Sequence, residues 1–472
     1  MASKNIFFDS IPSSIRKPGR YMEFNTSLAV RTLPANKQRM LIVAQRLAAG
    51  TVAALVPTTV FSDADAALYF GAGSMAHLMV RAAIKANPYL DLTVCALDDG
   101  AGAAATSTIT IANAATAAGS LKLYIGNRYV EIAIANQDAA ATVATALNAE
   151  IGKYPDFPVT AGVVGAVVTL TARNKGTIAN QIDVSAEVTA KGTTATVVAM
   201  AGGTVDPTLA TALAKVVPEQ YHIIATPYNA QADLITLRDH LALVSGPMEQ
   251  RPGVGVYAID TALATATTLA TAVDSGRIVG AYLRGTKSPS YEISAAYAAV
   301  LASEEDPARP LNTLELTGIA APPVEQRLSR TEQESCLANG VAPLEVGPGE
   351  RVQIVRAITT YLHNVAGSSD ISLLDVTTIR TLDYVRKACI ERIALRFPRT
   401  KLSVKTPPRV RVELLDVLQK LEQLEIVEAV ADNAAGLIVE RDDQDPNRVN
   451  AKIPTDVVNG LHVFAGRIDL LL

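Results

Sequence analysis

The chain has 472 residues, which is more than one hydrophobic core usually organises, and this length predicts about two to four domains. Its hydrophobic content of 49% excludes wholesale disorder, and its formal net charge of −4 argues against nucleic acid as the main partner. The three cysteines, Cys95, Cys336 and Cys389, are far apart and form no CxxC pair, which excludes a disulfide framework and a zinc site of that type.

Residues 1–30 are expected to form an N-terminal arm. Pro12 and the Lys17-Pro18-Gly19 run interrupt any helix, and residues 20–30 alternate loosely toward an extended strand. The alternative is an ordinary leader that packs on its own domain. This end lacks the apolar region of a signal peptide, and the chain lacks any run of about 18 strongly apolar residues, so we expect no membrane insertion.

Residues 31–97 and 205–340 alternate between apolar strands and amphipathic helices. The first of these segments predicts a strand at Arg39–Val43, a helix that runs from Ser62 or Asp63 toward Lys85, and a strand at Leu90–Leu97. A β-α-β unit of this kind usually builds a parallel sheet. The two segments therefore predict one discontinuous α/β domain with an open sheet flanked by helices.

Residues 98–204 differ in composition, because they are rich in Ala, Thr, Val and Gly and sparsely charged. Alternating runs at Leu121–Ile125 and Tyr129–Ile134 flank Gly126-Asn127, which is a hairpin signal. Asp138 is expected to cap a short helix. We predict a small β-sandwich inserted into the α/β domain as an exposed decoration; the alternative is a lectin-like domain that binds a ligand.

Residues 341–460 predict a C-terminal α+β domain with strong charge polarisation. A hairpin around Gly347-Pro348-Gly349 precedes two helices at 371–397 and 411–430. The basic block comprises Arg380, Arg386, Lys387, Arg392, Arg396, Arg399, Lys401, Lys405, Arg409 and Arg411, and an acidic block from Glu413 to Asp445 follows it. Two interpretations stay open: the helix faces neutralise each other, or they are complementary surfaces for a neighbouring subunit or a core structure.

Residues 461–472 form an apolar segment with strand-forming residues at Val463, Ile468, Leu470 and Leu472. A bare apolar strand is an aggregation hazard unless its edge is paired. Two hypotheses follow: the segment inserts into the sheet of its own domain, or it is donated to the sheet of another subunit.

No catalytic, cofactor-binding or metal-binding motif is present. The first strand is followed by Ala44-Gln45-Arg46 without the glycines of a phosphate-binding turn, and GxSxG and HExxH are absent. Cys389 is interpreted as a buried structural thiol, although the basic residues of its helix could lower its pKa. We therefore expect no enzyme; the alternative is an unrecognised α/β hydrolase or nucleotide-dependent enzyme.

Four stretches resemble the tail sheath proteins of contractile-tailed phages, specifically the Mu-like group. They are SIPSSIRKPGRYMEFNTS at 10–27, VQIVRAITTYLHN at 352–364, DVTTIRTLDYVRKACIERIALRF at 375–397 and HVFAGRIDLLL at 462–472. The resemblance covers both ends and the α/β body, whereas the insert is less diagnostic. These stretches are packing and arm motifs, not catalytic ones.

The resemblance implies a subunit that polymerises as six-fold rings around an inner tail tube and contracts to drive the tube through the host envelope. The implied partners are other copies of the chain, the inner tail tube protein, and the baseplate and tail terminator proteins, without nucleic acid or membrane insertion. The implied location is the virion, after assembly in the bacterial host cytoplasm. The sheath of a phage-tail-like bacteriocin or injection machine is the alternative.

The resemblance also implies a C-terminal domain completed by strands from neighbouring subunits. The expected strand-donating residues are Tyr21, Phe24, Leu28, Val30, Val463, Ile468, Leu470 and Leu472, and the expected receiving sheet contains Val352, Ile354 and Arg356. The expected tube-facing or inter-subunit charges are Arg386, Arg392, Arg396, Glu422 and Glu425. The insert is expected to point away from the tube and to tolerate deletion best.

Overall fold

A computed structural model describes residues 16–22 and 33–471. The chain divides into two compact units. The larger unit, here called the body, contains residues 36–384, 425–429 and 455–471. The smaller unit, here called the small unit, contains residues 16–22, 33–35, 385–424 and 430–454.

The strands and helices of the described residues follow in chain order. The strands are β1 (Arg39–Gln45), β2 (Pro57–Thr59), β3 (Asp91–Leu97), β4 (Ala104–Ala112), β5 (Gly119–Ile125), β6 (Arg128–Ile134), β7 (Val159–Val164), β8 (Val167–Lys175), β9 (Val184–Val188), β10 (Thr194–Val197), β11 (Ile223–Ala225), β12 (Val254–Ile259), β13 (Ile278–Tyr282), β14 (Ala342–Gly347), β15 (Arg351–Ile354), β16 (Val427–Glu428), β17 (Ile438–Arg441), β18 (Val449–Lys452) and β19 (Asp456–Val457). The α-helices are α1 (Asp63–Phe70), α2 (Met75–Ala86), α3 (Ala140–Gly152), α4 (Leu209–Val216), α5 (Gln231–Ser245), α6 (Leu263–Val273), α7 (Ser290–Ser303), α8 (Arg330–Ala338), α9 (Val376–Arg396), α10 (Thr406–Gln423) and α11 (Val430–Asn433).

The body is built on an eight-stranded sheet with the order β15-β14-β13-β12-β11-β1-β3-β2. The inner six strands run parallel, and antiparallel β2 and β15 form the two ends. The central strands are buried along nearly their whole length because helices cover both faces of such a sheet. Helix α7, which is buried over nearly its entire surface, packs between α2 and the sheet. The predicted α/β fold class is thus confirmed.

The helix predicted to run continuously from Ser62 toward Lys85 is two helices in the structure. Gly71 and Gly73 have φ angles of 88° and 76°, a backbone conformation that glycine adopts readily and other residues rarely. The chain restarts at α2, where the Ser74 hydroxyl accepts a hydrogen bond from the His77 amide. Ser62 caps α1 in the same way through the Asp65 amide.

Residues 104–201 form two antiparallel sheets, β10-β4-β8-β7 and β6-β5-β9, which share one apolar core with α3. Val143, Leu147 and Ile151 of α3 are buried there, as their helical spacing predicts. Asp138 does not cap this helix; its carboxylate accepts a hydrogen bond from the Ala135 amide instead. The segment is therefore a compact insert between β3 and α4 of the body.

Buried polar side chains join the insert to the rest of the body. The Asn174 side chain accepts a hydrogen bond from the Met75 amide at 2.8 Å and donates one to the Arg46 carbonyl at 2.9 Å. The Gln45 amide group, fully buried in β1, donates to Asp99 and to the Lys175 carbonyl. Deleting the insert would remove these hydrogen-bond partners and uncover the Gln45 side chain. The expectation that the insert tolerates deletion best stays a prediction.

The C-terminal part of the chain is organised differently from the expectation. Strands β14 and β15 belong to the eight-stranded sheet of the body, whereas the sequence places the start of a separate domain at residue 341. Helix α10 starts at Thr406 because Pro407 and Pro408 occupy its first turn, where a missing N–H costs nothing. The small unit combines the end of α9 with α10, α11 and the β17–β18 hairpin.

One contact across the seam between the insert and the rest of the body depends on pH, because it involves the carboxylate of Glu292. Its carboxylate, on buried helix α7, accepts a hydrogen bond from the Asn127 side chain at 3.1 Å. Burial raises the Glu292 pKa from 4.5 to about 7, although Arg81, Arg128 and Lys85 oppose the shift. Folding therefore favours the protonated form, and this penalty grows as the pH rises from about 4.5 through about 7.

We predict that Glu292→Gln, which keeps an oxygen acceptor for Asn127, removes this penalty. Between about pH 5 and pH 8 the free energy of unfolding of the unmodified chain should fall relative to that of the variant by on the order of 2 kcal/mol. Urea unfolding of both proteins at several pH values measures the difference. Parallel pH profiles for the two proteins would contradict the assignment.

Candidate functional site

The side chain of His462 anchors the C-terminal segment to the rest of the body. The His462 ring lies 3.0 Å from the Asn312 side chain and 3.6 Å from an Asp375 carboxylate oxygen, and it is mostly buried. Beyond it, residues 463–471 form neither helix nor strand. The hypothesis that this segment enters the sheet of its own domain is therefore wrong for the residues that the structure describes.

The large side chains of this segment face solvent. Val463 is 78% exposed, Ile468 99% and Leu470 83%, while Leu472 lies outside the described residues. At the other end, Tyr21 is half exposed, and its hydroxyl donates a hydrogen bond to the Lys17 carbonyl at 3.1 Å. The other three expected N-terminal arm residues, Phe24, Leu28 and Val30, also lie outside the described residues.

The expected receiving strand, β15, has main-chain partners on both sides. On one side it pairs with β14, and on the other the Ile354 amide donates to the Leu314 carbonyl while the Leu316 amide donates to the Val352 carbonyl. The side chains of Val352 and Ile354 are buried. The outer edge of β15 at these residues is thus paired with residues 313–316 of the same chain. The expectation that Val352 and Ile354 belong to the receiving sheet stays a prediction.

Arg356, the third residue expected in the receiving sheet, follows β15 and forms a two-point ion pair with Asp375. Its guanidinium donates to the two carboxylate oxygens at 2.8 and 2.7 Å. Both side chains are mostly buried. Paired in this way, Arg356 ties the chain after β15 to the start of α9 inside the body.

A second candidate for the receiving sheet, which sequence reasoning missed, is the β17–β18 hairpin of the small unit. β17 and β18 pair only with each other in the described part of the chain. Beside β18 lies a groove of about 550 Å³ whose walls are mainly apolar. Its walls come from α9, α10 and β18 and include Ile390, Ile393, Phe397, Val410, Val449 and Ile453. The available sequence signal was a pair of short apolar runs around the turn residues 442–447.

The charged residues expected on the tube-facing surface are largely engaged within the small unit. Arg392 is only 4% exposed, and its guanidinium contacts the carboxylates of Glu413 and Asp416 on α10. Arg396 lies 3.5 Å from Glu413. Lys420 also contacts Asp416 at 2.8 Å. Arg392 and Arg396 therefore hold α9 against α10, and an outward-facing role does not fit their burial.

The other expected charges lie at different places. The Glu422 carboxylate accepts a hydrogen bond from the Val430 amide at 2.9 Å, so it stabilises the turn after α10. Arg386 is half buried on α9, and Glu425 is exposed with a φ angle of 55°. The structure therefore does not bring the five residues together as one surface.

The place where an open α/β sheet usually binds a ligand is filled by the insert. The chain order reverses between β1 and β11, and ligands normally bind at the carboxyl ends of such strands. Here the Gln181 side chain of the insert donates a hydrogen bond to Asn229, whose amide donates to the Ala258 carbonyl at 3.1 Å. The insert thus covers this edge of the sheet with satisfied amide groups.

The remaining reactive groups are buried or dispersed. Burial raises the pKa of Cys389 to about 11, which supports a structural thiol, and it lowers the pKa of His240 to about 4. Among the residues that the structure describes, no group of His, Cys, Asp and Glu side chains is arranged to hold a metal ion. In the same residues no helix combines the length and the apolar character that a membrane crossing requires.

We predict that Arg392→Met destabilises the small unit by about 3 kcal/mol, because the partly buried carboxylates of Glu413 and Asp416 lose the positive charge that they contact. The matched variant Arg399→Met removes an exposed cation from the loop after the same helix and should change stability by about 0.5 kcal/mol or less. Urea unfolding followed by circular dichroism measures both. Equal effects of the two substitutions would show that the buried ion pairs are unimportant.

Comparisons with known proteins agree with this geometry. The phage tail sheath protein central domain matches residues 202–360, and the phage tail sheath C-terminal domain matches residues 368–470. The Mu-like prophage FluMu tail sheath protein of Haemophilus influenzae is 34% identical over 487 aligned positions, which cover 99% of this chain and all of the relative.

Two solved structures share the fold. The sheath tail protein of Desulfitobacterium hafniense has a TM-score of 0.53 at 14% identity, over 94% of this chain and 97% of the other. The sheath tail protein of Listeria innocua has a TM-score of 0.52 at 14% identity, over 92% and 95% of the two chains. The chain therefore belongs to the phage tail sheath protein family, in its Mu-like group, and is a structural protein rather than an enzyme.

Proposed function

We propose that copies of this chain polymerise into the sheath of a contractile tail, as six-fold rings stacked around an inner tube. The single observation that carries the proposal is a mismatch within one chain. The apolar segment 463–471 has no cover, and the apolar groove beside the β17–β18 hairpin has no occupant in the described residues. Each feature supplies what the other lacks, provided that the two come from different copies.

In this proposal, the C-terminal segment of one copy adds a strand to the hairpin of a second copy. A lone two-stranded hairpin is marginally stable in water, so it gains from a third strand. Strand addition supplies main-chain hydrogen bonds, while alternate side chains of the added strand enter a pocket. Ile468 and Leu470, two positions apart, provide apolar side chains on one face of such a strand for the groove walls formed by Ile390 and Val449.

The segment is long enough for this exchange. Residues 463–471, fully extended, span roughly 30 Å, and pairing with a strand the length of β18 needs roughly 13 Å. The remainder can bridge the gap between neighbouring copies. A link made by a flexible tether lets folded units turn relative to one another without breaking the connection, which is what a contracting tube requires.

Contraction then follows because the contacts between subunits become more stable when the subunits turn and move outward. The extended sheath is held by kinetics rather than by equilibrium stability, so no nucleotide is consumed. The inner tail tube protein serves as the template for assembly, and the baseplate and tail terminator proteins lie at the two ends of the polymer. The sheath assembles in the bacterial host cytoplasm and functions in the virion, where its contraction drives the tube through the envelope.

We predict that removal of residues 461–472 leaves folded subunits that do not form tubes. The substitution Ile390→Glu, at a groove residue that is 41% exposed, should have the same effect because a buried unpaired carboxylate opposes strand docking. Leu395→Glu is the matched control, since Leu395 is on the same helix, is 57% exposed and does not line the groove. Negative-stain microscopy reads assembly, and circular dichroism reads folding.

The control should form tubes like those of the unmodified chain. Tubes of normal length from the truncated chain would defeat the proposed strand exchange. Compact particles from the unmodified chain, under conditions that preserve its fold, would defeat the polymerising function itself.

We further predict that a labelled peptide of residues 459–472 binds to the truncated chain, because truncation removes the competing segment. Fluorescence anisotropy should show saturable binding, and Ile390→Glu in the truncated chain should weaken it about tenfold or more, since an apolar contact is replaced by a desolvated charge. A peptide with Ile468 and Leu470 changed to Ser is the control ligand. Equal binding of both peptides would contradict insertion of these side chains into the groove.

A further inference from the structure

The loop between α9 and α10 and the helix ends beside it carry an unusual charge pattern. Between Glu391 and Glu413 there is no acidic residue, but there are seven cationic ones: Arg392, Arg396, Arg399, Lys401, Lys405, Arg409 and Arg411. Seven like charges on a stretch of this length repel one another unless each finds a partner or faces water. The structure divides them into two groups.

Three of the seven cations point into the small unit. Arg392 and Arg396 contact carboxylates of α10. Arg411 donates to the carbonyls of Leu437 and Ala434 at 2.8 and 2.7 Å, which ties α10 to the segment before β17. These three side chains therefore stabilise contacts within the small unit.

The other four cations, Arg399, Lys401, Lys405 and Arg409, are exposed and are here called the basic rim. None of them forms an ion pair with any residue that the structure describes. They alternate in sequence with Thr400, Leu402, Thr406 and Val410, which line the apolar groove. The basic rim therefore borders the groove on the side of the α9–α10 loop.

The hairpin of the same unit carries acidic residues on a different face. The Arg441 side chain donates to the Leu402 carbonyl, so it points toward the loop. Since neighbouring residues of a strand point to opposite faces, Glu440 points away from the loop, on the face that it shares with Lys452. Asp443 and Asp445 are exposed in the turn that follows. Glu440, Asp443 and Asp445 are here called the acidic turn.

We propose that the basic rim of one copy docks on the acidic turn of a second copy of this chain. The inference rests on the polymerisation proposed above and adds a second contact, separate from strand exchange, that sets the register of neighbouring copies. Complementary exposed charges steer encounter and fix orientation. Because the rim and the acidic turn are two different surfaces of one copy, the contact is head-to-tail, and contacts of that kind repeat into rings or open helices.

Charge reversal in full-length chains tests the contact. The rim variant carries Lys401→Glu and Lys405→Glu, and the turn variant carries Glu440→Lys and Asp443→Lys. A control with Lys191→Glu and Lys215→Glu makes the same charge change at exposed positions of the body. Sedimentation velocity at low and high salt measures association, circular dichroism checks folding, and microscopy scores tubes.

Each reversal alone should raise the concentration needed for association about tenfold or more, because like charges then face each other. An equimolar mixture of rim and turn variants should recover association, and so should one chain that carries all four substitutions. Added salt should weaken the recovered contact, as expected for exposed charges. The control should behave like the unmodified chain.

Several outcomes would overturn the proposal. They are unchanged association of the rim variant, failure of the mixture to recover while both variants are folded, and normal tubes from the rim variant that no longer surround an inner tube. The last result would assign the basic rim to the tube. Because the mixture experiment reads association between two folded variants, it gives an answer whether or not truncation of residues 461–472 abolishes tubes.

Discussion

The unpaired main-chain groups at the edge of a sheet favour a further partner, and the two units of this chain differ in how far this requirement is met. In the body the requirement is met internally: β15 is covered by residues 313–316, which accept and donate the hydrogen bonds of its outer edge. In the small unit, β17 and β18 pair only with each other among the residues that the structure describes. A further strand could therefore pair with this hairpin, as the proposed strand exchange requires.

The seam between insert and body closes the position at which an α/β sheet would otherwise bind a ligand. Across it, the Gln45 side chain donates a hydrogen bond to the Lys175 carbonyl and the Asn174 side chain donates one to the Arg46 carbonyl, while Gln181 donates to Asn229 at the switch point of the sheet. Hydrogen bonds of buried amides fix geometry strongly, since breaking one of them leaves a desolvated polar group. The body and insert are therefore suited to act as one rigid piece when neighbouring copies exert force on it.

The sequence predicted the first strand of the α/β core and the helix of the insert well, because their signals are local. The apolar run at β1 and the 3.6-residue spacing of Val143, Leu147 and Ile151 depend only on nearby residues. The charged candidates were harder, since sequence alone does not tell which of seven neighbouring cations points inward; Arg392 does, and Lys401 does not. The partner of β15 was also hidden, because residues 313–316 are irregular and carry no strand signal. The helix predicted to start at residue 411, after Pro407 and Pro408, starts at Thr406 instead, because proline can occupy the first turn of a helix as well as end one.

The three thiols of the chain have a consequence for the durability of the particle. Cys95, Cys336 and Cys389 are all buried, and burial raises the pKa of each to about 11. At neutral pH roughly one thiol in ten thousand would then be ionised, and only the thiolate attacks a disulfide or reacts readily with peroxide. Packing many copies side by side therefore creates little risk of disulfide cross-links between them, so an oxidising medium outside the cell should oxidise the thiols of such a polymer slowly.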